Sequence, residues 1–183
     1  MNIDLNEAQK VAEEVVGVYN RLYPEKKRNG GYLVISNSNP LVIEDDAPTL
    51  LNEKRKKVEG AIGNVRLIVP IGFVPQEKAA KYMTAALEKA CRLERRGEDI
   101  ISSFQGADAK MGRYGGGIRI LRAPNHPDSD IIISFSGLCA HGDEVVSLQI
   151  AKAIIEEFDV EPYIVISGNC DVYPDINIVL GDF

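Results

Sequence analysis

Short β-branched runs alternate along this chain with stretches whose apolar residues recur at helical spacing, and that alternation restricts the fold to classes that pack helices on a sheet. Leu5, Ala8, Val11, Ala12, Val15, Val16, Tyr19 and Leu22 form one stripe of a helix from Leu5 to Tyr23. Asp4, three residues before Glu7, is placed to cap its start, and Pro24 ends it. A second stripe, Ala79, Tyr82, Met83, Ala86, Leu87, Ala90 and Leu93, marks a helix from Pro75 to Arg96, with Cys91 beside it as a buried structural thiol.

The β-branched runs fill the intervals. In "GYLVISNSNPLVIEDD" two of them flank Asn37, Ser38, Asn39 and Pro40, the pattern of a hairpin. "TLLNEKRKKVE", from Thr49 to Glu59, reads as a short helix with a solvated basic face. "NVRLIVPIG" is a strand that Pro70 confines to an edge or brings to an end. "GIRILRA" and "DIIISFSG" are strands joined by "PNHPDSD", where His126 occupies an exposed turn. A helix from Asp143 to Phe158 follows, then "PYIVISG" and "DINIVLG" as two more strands around a turn at Cys170 and Pro174. The expected architecture is α/β, an α+β sandwich in one domain spanning residues 1–183, with a mixed sheet of about five to seven strands and three to four flanking helices.

Size and charge narrow the function. A chain of 183 residues can bury a substantial core without staples. No apolar run approaches the roughly 20 residues that span a bilayer, and "MNIDLNEAQK" lacks the basic and apolar regions of a secretory signal. The expected setting is cytoplasmic, without a membrane partner. A net charge of -6, with acidic and basic residues interspersed, disfavours nucleic acid as a partner. Three cysteines, Cys91, Cys139 and Cys170, suit a reducing compartment better than a disulfide framework.

Chemistry concentrates in "SGLCAHGDEVVSLQI", where Cys139, His141, Asp143 and Glu144 fall within six positions at the start of a helix. "SFSGLC" and "VISGNC" both close a β-branched run with Ser-Gly-x-Cys, and their cysteines lie 31 residues apart with a helix between. That is the length of a βαβ unit, whose parallel strands would bring Cys139 and Cys170 together at their carboxyl ends. Three readings stay open. Two thiolates and an imidazole suit zinc, although the paired ligand spacing of structural zinc sites is missing. Cys139 near a helix N-terminus suits a nucleophile with His141 as its base, opposed by the negative charge of Asp143 and Glu144. Alternatively, Gly137 and Gly142 shape a turn, Asp143 and Glu144 complement the helix dipole, and Cys139 is simply buried. In "KMGRYGGGIRI", Lys110, Arg113 and the amides of Gly115, Gly116 and Gly117 suit an anion, or else the glycines let the chain turn into the sheet. Neither a P-loop nor a dinucleotide fingerprint is complete there.

Taken together, "KYMTAALEKA", "GGGIRI", "SFSG" and "GDEVVSLQIAKAI" resemble the GlcG and haem-binding HbpS-like family, related to the C-terminal domain of corrinoid adenosyltransferases. Arg119 stands where that family usually has proline. The resemblance implies a sandwich fold, assembly as a homo-oligomer, and a small-molecule ligand such as a tetrapyrrole, with haem or a corrinoid ahead of zinc as cofactor. By its chemistry alone His141 is a candidate axial haem ligand. The expected function is therefore a small-molecule-binding domain whose pocket lies between the Gly112–Gly117 loop and the Gly137–Asp143 turn. Arg113, Gly115, Gly116, Gly117, Gly137, His141 and Asp143 would orient a polar or anionic ligand. The alternatives are a cysteine-dependent hydrolase or acyl-transfer enzyme using Cys139 and His141, and an assembly protein with no ligand.

Overall fold

The first helical stripe folds as α1, Leu5–Leu22, with the Asp4 carboxylate accepting from the amides of Asn6 and Glu7 at 3.0 and 3.1 Å. Its buried face carries Ala8, Val11, Ala12, Val15, Val16, Val18 and Tyr19. A computed structural model describes residues 4–26, 28–37, 65–94, 100–121 and 130–181. The second half of the expected hairpin, the 49–59 helix and His126 lie outside those residues.

Four strands form the sheet: β1 (Gly30–Asn37), β2 (Val65–Gly72), β3 (Gly117–Ile120) and β4 (Ile131–Ser136), in the order β2-β1-β4-β3. All three pairings are antiparallel, so the expected mixed sheet of five to seven strands is corrected to four antiparallel strands among the described residues. β2 is outermost, the position that suits a strand containing Pro70.

Side-chain alternation on this sheet separates two cores. Leu33, Ile35, Ile71, Ile118, Ile131, Ile133 and Phe135 point toward α1 and toward α3 (Ala140–Ile154). Val34 and Ile132 point the other way, onto Ala86, Leu87, Ala90 and Leu93 of α2 (Gln76–Glu94). β4 is covered on both faces, and all six of its residues are buried. A continuous "III" run is what such a position requires. The thiol of Cys91 is buried on α2, as expected.

The chain after α3 departs from expectation. "PYIVISG" and "DINIVLG" are not strands but two short helices, α4 (Glu161–Ser167) and α5 (Val172–Leu180), which brings the α-helices among the described residues to five. Apolar runs of this length fit a buried strand or a helix equally well, and packing decides between them. Tyr163, Ile164, Tyr173 and Ile176 join the α1–α3 core, whereas Val165 and Ile178 are exposed. Pro162 lies in the first turn of α4, and Gly168 ends that helix in the left-handed conformation at φ 68°. The expected βαβ unit, with two parallel strands ending in Ser-Gly-x-Cys, is therefore absent among the described residues. α3 also begins three residues earlier than expected, with Cys139 as its N-cap.

The helical assignment of α5 separates two positions that a strand would treat alike. Ile176 is 0% exposed and Ile178 79%. Ile176→Ala should lower stability by about 2–5 kcal/mol, and Ile178→Ala by no more than about 0.5 kcal/mol. Urea unfolding of the two variants checks this, and equal losses would restore the strand.

Candidate functional site

β4 ends at Ser136 and the chain reverses through Gly137 into α3. A side chain at Gly137 would meet the carbonyl oxygen of Gly30 at 2.4 Å and the α-carbon of Gly31 at 2.5 Å, so glycine is required where the turn crosses β1. Two residues later Cys139 caps α3, its Sγ accepting from the Gly142 amide at 3.4 Å. Tyr19 Oη lies 3.1 Å from the same sulfur. Burial, followed by the contact with Cys139, raises the Tyr19 hydroxyl well above the usual phenol range.

Asp143 organises the turn from inside. One carboxylate oxygen accepts from the amides of Gly137 and Leu138 at 3.1 and 2.7 Å. The other accepts from Lys89 Nζ at 2.7 Å, and that ammonium also donates to the Phe135 carbonyl at 2.6 Å. Both side chains of this ion pair are almost wholly buried. Burial pushes the Asp143 carboxyl up, while Lys89 and the two amides pull it back down. Gly116, at φ 114°, passes so close that a side chain there would sit 2.3 Å from Asp143 Cβ and 2.8 Å from Lys89 Nζ.

An open cavity of about 470 Å³ lies between α2 and this turn. Arg28, Lys78, Lys81, Tyr82, Lys89 and Tyr114 line it, together with Gly137, Leu138, Cys139 and Asp143. Of the residues expected from sequence, Gly137, Cys139 and Asp143 thus come together. Arg113 and Gly115–Gly117 do not line the cavity. Arg113 bridges to Asp108 through backbone hydrogen bonds in both directions. The glycines pack against protein instead: Gly115 against the Phe104 ring, Gly116 against Asp143 and Lys89, and Gly117 against Ser134.

His141 also turns away from the cavity. Its Nε2–H donates to the Ser167 carbonyl at 3.1 Å, and its ring stacks on Phe104 with centroids 5.1 Å apart. Among the described residues no hydrogen bond joins it to Cys139, whose partner is Tyr19. Cys139 and Cys170 are both exposed thiols. No group of three or more His, Cys, Asp or Glu among the described residues is placed to hold a metal ion.

Sequence reasoning missed the cations. Lys78, Lys81, Tyr82, Ala85 and Lys89 follow one another at helical spacing along α2, and the cavity reads that stripe. It adjoins the apolar stripe from which the helix is recognised, so the signal was present. Tyr114 belongs to the Gly112–Gly117 loop expected to wall the pocket, whereas Arg28 comes from a distant segment and carries no signal. No family model, curated protein or solved structure matches the chain.

Lys89→Met would leave the Asp143 carboxylate buried without its cation and should cost about 3–5 kcal/mol. Combining it with Asp143→Asn should recover most of that loss, because the asparagine oxygen still accepts from the Gly137 and Leu138 amides. A double-mutant cycle by urea unfolding measures the coupling, and additive losses would contradict it.

Proposed function

We propose that this domain binds a small anionic molecule in the cavity between α2 and the β4–α3 turn. The observation that carries the reading is the convergence of Arg28, Lys78 and Lys81 on one cavity in a chain of net charge -6. None of the three makes an ion pair among the described residues, so their charge is available to a ligand. Lys89 is committed to Asp143. The rings of Tyr82 and Tyr114 add amphipathic walls, which suits a carboxylate or phosphate attached to an apolar body.

The amides of the turn are not part of the anion site. Asp143 already fills them, so recognition rests on side chains alone. A tetrapyrrole held by His141 is disfavoured, because the ring engages Ser167 and Phe104 and does not line the cavity. The resemblance to GlcG and HbpS-like proteins agrees with a binding role, and assembly as a homo-oligomer in the cytoplasm belongs to the same proposal. Among the described residues no helix is long and apolar enough to cross a membrane.

Acyl transfer by Cys139 is the second reading, supported by the exposure of its thiol within the cavity. Tyr19 weakens it. A phenol raised above its ordinary range keeps its proton and acts on the sulfur as a donor, not as a base. Among the described residues the only carboxylate lining the cavity is Asp143, which Lys89 holds.

Calorimetric titration with inorganic phosphate, pyrophosphate and citrate tests the proposal. One of the three should saturate at a single site, with affinity falling as salt rises. Lys78→Ala and Lys81→Ala should each weaken it about tenfold, the loss of one charge-assisted hydrogen bond. Cys139→Ser should leave it unchanged. Saturation by none of the probes, or affinities indifferent to the lysines, would overturn the anion site.

A further inference from the structure

The N-terminal part of α3 carries two successive acids with opposite solutions to burial. Asp143 meets a lysine, whereas Glu144, 0% exposed, meets only neutral donors. Ser102 Oγ donates to one of its oxygens at 3.2 Å and Asn169 Nδ2 to the other at 3.3 Å. Ser102 precedes the 3₁₀ turn Ser103–Gly106, while Asn169 belongs to the connection between α4 and α5. One carboxyl therefore joins three segments that are remote in sequence. Ser102 and Asn169 are themselves buried, and the Asn169 side-chain oxygen has no hydrogen-bond partner among the described residues.

We infer that Glu144 is a proton-controlled tie, which as a neutral acid holds the 100–107 segment and the α4–α5 connection to α3, and as a carboxylate loosens them. Ionisation would place a full negative charge in a buried site that, among the described residues, has no cation paired with it.

The charged and titratable groups on the surrounding elements are engaged elsewhere or exposed. On α3, His141 bonds to Ser167 and Asp143 to Lys89. Arg119 of β3 pairs with Asp130, and the Tyr163 hydroxyl of α4 donates to the Arg119 carbonyl. Glu161 at the start of α4, and Cys170 and Asp171 in the connection, are exposed. The 102–106 segment carries no charge.

Burial accordingly pushes the Glu144 carboxyl up to about 7, against the pull of the Ser167, Asn169 and Ser102 side chains. In the unfolded chain it titrates near 4.5. The folded form thus binds the proton more tightly. The stability contributed by the tie is complete below the unfolded value and is lost as pH rises through the folded one. α3 also presents Asp143, with Cys139 at its N-cap, to the cavity, so loosening the tie reaches that wall whichever ligand occupies it.

Hydrogen exchange, corrected for intrinsic rates, between about pH 5.5 and about pH 8.5 tests the inference. It is paired with carbon NMR of the Glu144 carboxyl in the wild-type chain. Protection of residues 100–107 and 167–171 should fall about tenfold with a midpoint near the carboxyl titration, while β1 and β4 stay protected. Glu144→Gln should give a flat profile, and His141→Gln should keep the fall. A carboxyl titrating in the ordinary range would overturn the inference, as would flat wild-type protection or a fall that persists in Glu144→Gln. If Glu144→Gln does not fold, the coincidence of the two wild-type midpoints decides.

Discussion

The Lys89–Asp143 ion pair is the constraint around which the functional end of this molecule is arranged. It connects α2 to α3 across the last turn of β4, and every group near it has taken a form that the pair dictates. The Phe135 carbonyl accepts from the lysine, the Gly137 and Leu138 amides donate to the aspartate, and Gly116 gives up a side chain to let both ends meet. A buried ion pair of this kind is no strong source of stability in itself, since an apolar replacement of similar shape is often as stable. Its effect is on geometry, because the two ions find each other in one arrangement of helix and turn only.

That geometry also explains how a basic cavity arises in an acidic chain. Asp143 removes one cation and two amides from the anion-binding inventory. What remains is a set of long, exposed side chains, Arg28, Lys78 and Lys81, around a wall whose position the pair has fixed. The ion pair positions the wall, while the cations sit at the ends of long exposed side chains. Such a site recognises charge and approximate size before it recognises shape.

The sequence told most where burial is one-sided or complete. The α1 stripe, its Asp4 cap, the α2 stripe and the "III" run of β4 each have a periodicity that only one element satisfies. The α4 and α5 segments do not. The helices they form are only seven and nine residues long, rich in β-branched residues, and form because Tyr163, Ile164, Tyr173 and Ile176 join the core shared by α1 and α3. Local propensity is the weaker force there. The candidate site was legible in part for the same reason. Gly137, Cys139 and Asp143 are neighbours in sequence and remain so in space, whereas Arg28, Tyr114 and Tyr19 reach them only through the fold. His141 was misjudged because alternation along a helix sends residues two apart in different directions, and the Phe104 ring that receives it lies far away in the chain.

The sheet order has a consequence for how the chain is made. β1 lies between β2 and β4, yet β4 leaves the ribosome long after β1 and β2, with the whole of α2 and β3 in between. Until Ile131 to Ser136 emerge, one hydrogen-bonding edge of β1 has no partner, and its Leu33 and Ile35 lack Phe135 and Ile133 opposite them. Closing that long loop carries an entropic cost that no local contact offsets, so the central ladder belongs to the late, slow stage of folding. A nascent chain stalled before β4 would expose an adhesive strand edge, the state in which a protein of this topology most needs a chaperone.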